Sequence, residues 1–412
     1  MNNQTEYYLE SLITEAFKGK GFQKISDLFA EKASCSSQRH SKAMLTQLDR
    51  LINKELDRNE FRHVTLLMKC IQHFCKNDSH EAFSLIHQGL ISKMVIWFER
   101  TLEFLKICDE DNTFISELVE EIYDTVVVIC RSDNKEGVKQ LVDSFLFTLG
   151  LVITENWPAF HIRLEAIKTF NLILDHIALE EKKSLQASED MGALMKTMAR
   201  NLFDVGDYDV QVAISEALCR MTPRKLRENL AQLWFEDDFF AQAFLQVNDK
   251  DFETDCRNFL NCLNSRGRDG QRVYTFPCID VFADSEKLRK PQDSKLEHFW
   301  IDFNVGSQCV SFYIQNHEGL LWDSVRLQKG LVAAYSLQDV DGQTLLNLHS
   351  RNFFLINRKE AKLVRIYFES KHNVEHAVIK TYGEELKMTV IGQDGSVETS
   401  TQAISSPSTG CY

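Results

Sequence analysis

Apolar side chains recur every three or four positions through residues 1 to about 265, whereas beyond about 271 they alternate with polar ones. The switch falls in a charged, glycine-broken joint, Arg266-Gly-Arg-Asp-Gly270. The helical period predicts helices at roughly 5–18, 22–32, 40–57, 60–76, 79–88, 90–107, 113–131, 135–154, 158–177, 186–203, 208–221, 223–234, 236–247 and 251–264. In VGDYDVQVAISEALCRMT (205–222), Val210, Ala213, Ile214, Ala217, Leu218 and Met221 form one helical face, which Asp207 or Asp209 can cap. Pro158 and Pro223 are placed at first helical positions, where the missing N–H is harmless.

Short helices whose pattern returns about every 40 residues point to a stacked armadillo or HEAT-like solenoid. Such a unit buries its apolar face only against neighbours, and the stack presents a long surface to proteins. Beyond the joint, strands are expected at 272–276, 299–304, 309–314, 321–327, 331–337, 343–349, 352–358 and 362–369. Turn signals such as Lys329-Gly330 and Asp341-Gly342 separate several of them. With a helix near 372–382 and a last strand 386–391, this reads as a small antiparallel barrel or sandwich of the pleckstrin-homology kind, closed by a helix. The fold class is therefore α+β and multidomain: an armadillo/HEAT-like α-solenoid at 1–265, a PH-like β domain at 266–392 and a polar tail at 393–412 expected to be disordered. A joint of few residues leads to the expectation that the barrel braces the last helices of the solenoid.

Composition changes the picture in two ways. No run of 18 apolar residues exists and the N-terminus lacks a basic-then-apolar leader, so a soluble, non-secreted chain is expected, with no membrane partner. The 11 cysteines show no framework spacing, and Cys75, Cys130 and Cys219 sit inside apolar helical patterns, which fits a reducing compartment. Charge is uneven. Residues 101–250 carry 15 basic and 27 acidic groups, which is 12 of the surplus of 13 negative charges. That stretch repels a phosphate backbone and speaks against direct DNA binding, while leaving basic protein tails, such as those of histones, as partners.

Candidate chemistry is sparse. His372-Asn-Val-Glu-His376 matches H-x-x-E-H, which on a helix would set two imidazoles on one face for zinc; a polar surface helix is the plainer reading. Cys70 and His73 share a face on which a metal is conceivable, against a packed thiol and a partly exposed imidazole. Phosphate-cradling glycine loops and serine-nucleophile elbows do not occur, so neither an enzyme nor a cofactor is expected. The remaining constellation is basic: Arg220, Arg224, Lys225 and Arg227 after the cleanest helix, and Arg257, Arg266, Arg268 and Arg272 around the joint, with Lys287, Arg289 and Lys290 following. These are candidate partner-binding residues for an acidic segment, against a solvated surface paired with nearby carboxylates.

VGDYDVQVAISEALCRMT (205–222), FETDCRNFLN (252–261), RVYTFPC (272–278), FWIDFNVGS (299–307) and SFYI (311–314) resemble the N-terminal part of the synaptonemal complex protein 2 family, nearer its 2-like branch. The resemblance spans about residues 5–390. It implies an armadillo-like domain followed by one similar to the middle domain of the large histone-chaperone subunit of FACT. It also implies a nuclear, non-enzymatic module on meiotic chromosome axes and at centromeres, with centromere or axis proteins as partners; the alternatives are a structural, self-assembling axis component and a histone-binding, chaperone-like module. The family assembles lateral elements by pairing a C-terminal coiled coil with synaptonemal complex protein 3. These 412 residues hold no sustained heptad run, so that pairing is not expected of them.

Overall fold

The computed structural model describes residues 8–30, 41–77, 79–108, 113–132, 134–266, 270–316 and 322–388. The chain divides into two compact units, 1–273 and 274–412. In the first, the helices are Tyr8–Phe17 (α1), Phe22–Ala30 (α2), Met44–Leu56 (α3), Phe61–Asn77 (α4), Ser79–His87 (α5), Leu90–Ile107 (α6), Thr113–Arg131 (α7), Lys135–Ser144 (α8), Leu146–Thr154 (α9), Phe160–His176 (α10), Leu179–Ala187 (α11), Glu189–Asp204 (α12), Tyr208–Met221 (α13), Arg224–Trp234 (α14), Asp238–Leu245 (α15) and Phe252–Ser265 (α16). Helices α4, α7, α10, α13 and α16 stack as one ladder, and α9, α12 and α14 form part of a second beside it.

The ladder is apolar but stitched by amides. All six residues of the predicted α13 face are buried, and so are Gln211 and Ser215 on its other sides, because α10, α12 and α16 all pack on this helix. Gln211 and Asn264 exchange amide hydrogen bonds of 2.8 and 2.9 Å between α13 and α16, and Asn171 of α10 donates to the Ala213 carbonyl at 2.8 Å. Buried amides with good partners fix one register, since each slipped register would leave them unpaired. Asp207 is the cap of α13, accepting from the N–H groups of Asp209 and Val210 at 2.9 and 3.2 Å.

Several boundaries differ from the sequence reading. The helix expected at 135–154 is two helices, α8 and α9, meeting at Phe145 with a bend of 47°. Helix α11 was not foreseen: LEEKKSLQA buries no residue, so it has no apolar period to detect. Pro158 lies two residues before α10, and Pro223 is the N-cap of α14 rather than its first residue.

Five cysteines of this unit are buried by packing. Burial pushes the thiols of Cys75, Cys130 and Cys219 up to about 12, and those of Cys70 and Cys256 higher still. Since the thiolate is the reactive form, N-ethylmaleimide at neutral pH should leave these five unlabelled in the native chain and label them only in urea. Rapid native labelling of Cys219, read by peptide mass spectrometry, would contradict this packing.

The second unit has two antiparallel sheets. Val273–Cys278 (β1), Phe299–Asn304 (β4), Cys309–Gln315 (β5) and Trp322–Gln328 (β6) form one, in the order β1-β4-β5-β6. Asp280–Ala283 (β2), Glu286–Leu288 (β3), Val332–Val340 (β7), Gln343–Ile356 (β8) and Lys359–Glu369 (β9) form the other, in the order β3-β2-β9-β8-β7. The β7–β8 turn is Asp341-Gly342, both at positive φ as the hairpin requires. Two expected strands, 343–349 and 352–358, are instead the single β8. Its pairing slips from His349 opposite Leu363 to Phe354 opposite Ala361, so residues 350–353 bulge out. Asn357 and Arg358, both at positive φ, make the tight turn into β9.

The inner faces of both sheets close over one core that includes Phe303, Phe312, Tyr335, Ile366 and Phe368. Helix Val374–Tyr382 (α17) inserts Val374, Ala377, Val378 and Tyr382 into it. A short 3-10 turn at Glu384–Leu386 and one bridge from Lys387 to Tyr335 follow. The rest of the strand expected at 386–391, and the tail 393–412, lie outside the described residues.

Candidate interaction surface

The predicted basic set lies in the helical unit, and the fold sorts it by burial. Arg227 is 1% exposed. Its guanidinium donates to the carbonyls of Val247 at 2.9 Å, Cys219 at 3.3 Å and Thr222 at 3.3 Å, and to the Asp249 carboxylate at 2.8 Å. It therefore closes the carbonyl end of α13 and the segment after α15, where a cation and several donors are both favourable. Arg257 is also buried, with its guanidinium 3.5 Å from the centre of the Tyr208 ring. Neither side chain is open to a partner.

Arg220 is half-buried and paired with Glu216 at 2.8 Å and Asp175 at 2.5 Å, which ties α13 to the end of α10. Arg224 and Lys225 are exposed in the first turn of α14. Arg266, also exposed, rests 3.7 Å over the Phe239 ring. Arg268 lies outside the described residues. Arg272 is exposed at the rim of a cavity of about 360 Å³ whose wall includes Phe203, Trp234, Phe240, Arg200 and Glu236. Arg200 and Glu236 pair across 3.4 Å. The buried Arg163 nearby holds its proton less tightly than usual, first because of burial and second because of the charge of Arg272. In the second unit Lys287 is paired with Asp280 at 2.5 Å, and Lys290 donates to the Leu296 carbonyl. Of the predicted set, the described cations that are exposed in the helical unit are thus Arg224, Lys225, Arg266 and Arg272.

Helix α14 carries a feature that the charge count hid. Its buried residues are Arg227, Ala231 and Trp234, while Leu226 and Leu233 are 47% and 62% exposed. Leucines at this spacing read as core from the sequence, yet here an arginine has taken the inner position because carbonyl ends converge there.

The metal-like strings are dispersed. His372 precedes α17, so it does not share a helical face with His376, and the one-face pair that zinc would need does not form. The ring of His372 packs 5.3 Å from Phe276, and that of His376 packs 5.4 Å from Tyr274, whose hydroxyl lies 3.3 Å from Nε2. Cys70 is fully buried, and His73 packs edge-on against Phe29 and Phe74. Among the described residues no three His, Cys, Asp or Glu side chains converge as a metal site, and no single helix is long and apolar enough to cross a membrane.

Comparison with known proteins follows the two units. Residues 8–181 match the synaptonemal complex 2 armadillo-repeat-like domain, and residues 273–384 match the synaptonemal complex 2 Spt16M-like domain. Synaptonemal complex protein 2-like of Xenopus laevis is 57% identical over 93% of the chain, and its Mus musculus counterpart 42% over 92%. Synaptonemal complex protein 2 of Homo sapiens is 35% identical over 91%. The chain spans only 39%, 45% and 25% of the lengths of these three relatives. A solved structure titled synaptonemal complex protein superposes with a TM-score of 0.83 at 34% identity, covering 94% of this chain and all of that one.

Proposed function

The chain belongs to the synaptonemal complex protein 2 family, and from that premise we propose that it is a non-enzymatic protein-interaction module of the meiotic chromosome axis, working in the nucleus at the axis and at centromeres. The observation that carries this reading is the continuous likeness through both folded units to proteins named for the synaptonemal complex. Within the module, residues 1–265 would act as the docking half and 266–392 as a second binding unit. Mechanistically, Arg224, Lys225, Arg266 and Arg272 would meet acidic segments of axis or centromere proteins. The acidic surplus of residues 101–250 would hold nucleic acid off, so that the contact is to protein. The Spt16M-like match supports a histone-binding role for the second unit as the alternative. Lateral-element assembly through synaptonemal complex protein 3 would belong to parts of the longer relatives beyond this chain's span.

Affinity capture from meiotic-cell extract tests the reading. The intact chain should recover axis or centromeric proteins, and the pairs Arg224→Glu/Lys225→Glu and Arg266→Glu/Arg272→Glu should recover several-fold less, because like-charge contacts replace complementary ones. Equal recovery by both pairs would remove these cations from the surface. If no axis or centromere protein is captured at all, the module reading fails.

A further inference from the structure

Helices α9 and α12 pack against each other at Gly150. A Cβ on Gly150 would lie 2.2 Å from Leu194 Cδ2, so the absent side chain lets Leu194 lie against α9. This contact floors a groove of about 610 Å³. Phe147 and Leu151, one helical turn apart on α9, line it while 41% and 44% exposed, and Trp157 lines it further along the chain. Glu155 and Asp190, both exposed, also line it, and at Trp157 the Lys106 ammonium sits 4.8 Å over the ring. Large apolar side chains held half out of water, on a wall that also carries carboxylates, fit recognition better than folding, because helix packing has already used the other face of α9. Leu146, Leu149, Val152 and Ile153 on that face are buried.

We propose that the α9–α12 groove receives a basic amphipathic helix of a partner protein, with two apolar anchors one turn apart on Phe147 and Leu151 and lysine or arginine facing Glu155 and Asp190. The surrounding charge favours this occupant. Glu155 and Asp190 stand at the groove itself, within a stretch (101–250) that carries 27 acidic against 15 basic groups, so at this groove a cationic segment is favoured over an acidic one. The groove lies off the α4–α7–α10–α13 ladder and does not use the cations assigned to docking above. The inference rests on the interaction-module reading but fails separately from it, because purified components test it without reference to chromosome localisation.

The experiment is fluorescence anisotropy with the full chain and three labelled peptides, each about four helical turns long. The first carries Lys and Arg with two leucines at i and i+4, the second has serine in place of both leucines, and the third has glutamate in place of every cation. The first peptide should bind, and binding should weaken at least about tenfold with Phe147→Ser/Leu151→Ser, as expected for loss of central anchors. The second and third peptides should bind at least about tenfold more weakly than the first. Glu155→Lys/Asp190→Lys should lower affinity for the first peptide and raise it for the third. Unchanged far-UV circular dichroism of the variants separates lost docking from lost fold. Absence of binding by the first peptide, equal binding of the third, or indifference to Phe147→Ser/Leu151→Ser with the fold intact would each overturn the proposal.

Discussion

Replacing Arg227 with alanine is expected to destabilise the helical unit by about 3–5 kcal/mol, from buried acceptors left without a donor and from the cavity that its stem leaves. The reason is geometric. Three main-chain carbonyls, of Cys219, Thr222 and Val247, converge on one guanidinium that is 1% exposed. The carbonyls of Cys219 and Thr222 belong to the end of α13, where a helix leaves acceptors unpaired; that of Cys219 also accepts from the Thr222 N–H at 3.3 Å, so losing the arginine leaves chiefly Thr222 and Val247 short of a donor. Each orphaned acceptor costs about 1–3 kcal/mol, and the missing stem adds a cavity. The ion pair with Asp249 adds little, because that carboxylate side chain is 64% exposed and recovers water when the arginine is gone. Arg227→Lys should fall between alanine and the parent, since a single ammonium cannot span three carbonyls. Urea unfolding followed by circular dichroism reads the loss. Arg224→Ala, exposed one turn earlier, should stay within about 0.5 kcal/mol of the parent. If Arg227→Ala matched Arg224→Ala, the bracket at the end of α13 would have no energetic weight.

The same residue shows where sequence reasoning stops. Four basic residues at 220–227 look alike in the chain, yet they divide into a bracket (Arg227), a paired tether (Arg220) and two exposed charges (Arg224 and Lys225). Nothing in the one-dimensional pattern says where carbonyl ends will converge, because that depends on α13, the start of α14 and the segment after α15 meeting in space. By contrast, the inner face of α13 was legible in full, since apolar residues at the helical period have one consistent place to go. Helix α11 was invisible for the complementary reason: a helix that buries nothing has no apolar period.

In the sheets, the Asp341-Gly342 turn was legible because its chemistry forces positive φ, while the hairpin β2–β3 was missed because strands of four and three residues are too short to show alternation. The candidate site fared less well than the fold. Composition names the candidate cations without saying which of them the fold exposes, and in the separate α9–α12 groove Phe147 and Leu151 are absorbed into one long expected helix at 135–154. The bend at Phe145 that sets α9 apart as its own helix has no glycine or proline to announce it.

In the β unit the largest effect is expected at Tyr382. This residue closes α17 onto the core, where its side chain is wholly buried beside Tyr335, with ring centres 6.3 Å apart. Its hydroxyl donates to the Leu327 carbonyl of β6 and accepts from the Val310 N–H of β5 at 3.2 Å, so one oxygen joins the helix to two neighbouring strands. Burial, and second the nearby Cys309, hold the phenol well above its ordinary value, so it remains a donor throughout the range in which the protein is handled. Tyr382→Ala should therefore cost about 3–5 kcal/mol, as for other large aromatics removed from a packed interior. Tyr382→Phe keeps the ring and removes only the oxygen; it should cost about 1–3 kcal/mol, because the Leu327 carbonyl and the Val310 N–H are left without that partner in a site from which water is excluded. The difference between the two variants separates packing from hydrogen bonding. Hydrogen exchange gives the local readout, with faster amide exchange in β5, β6 and α17 expected for Tyr382→Phe while the helical unit stays unchanged. A phenylalanine variant with parent-like protection at Val310 would mean that the helix is held by packing alone.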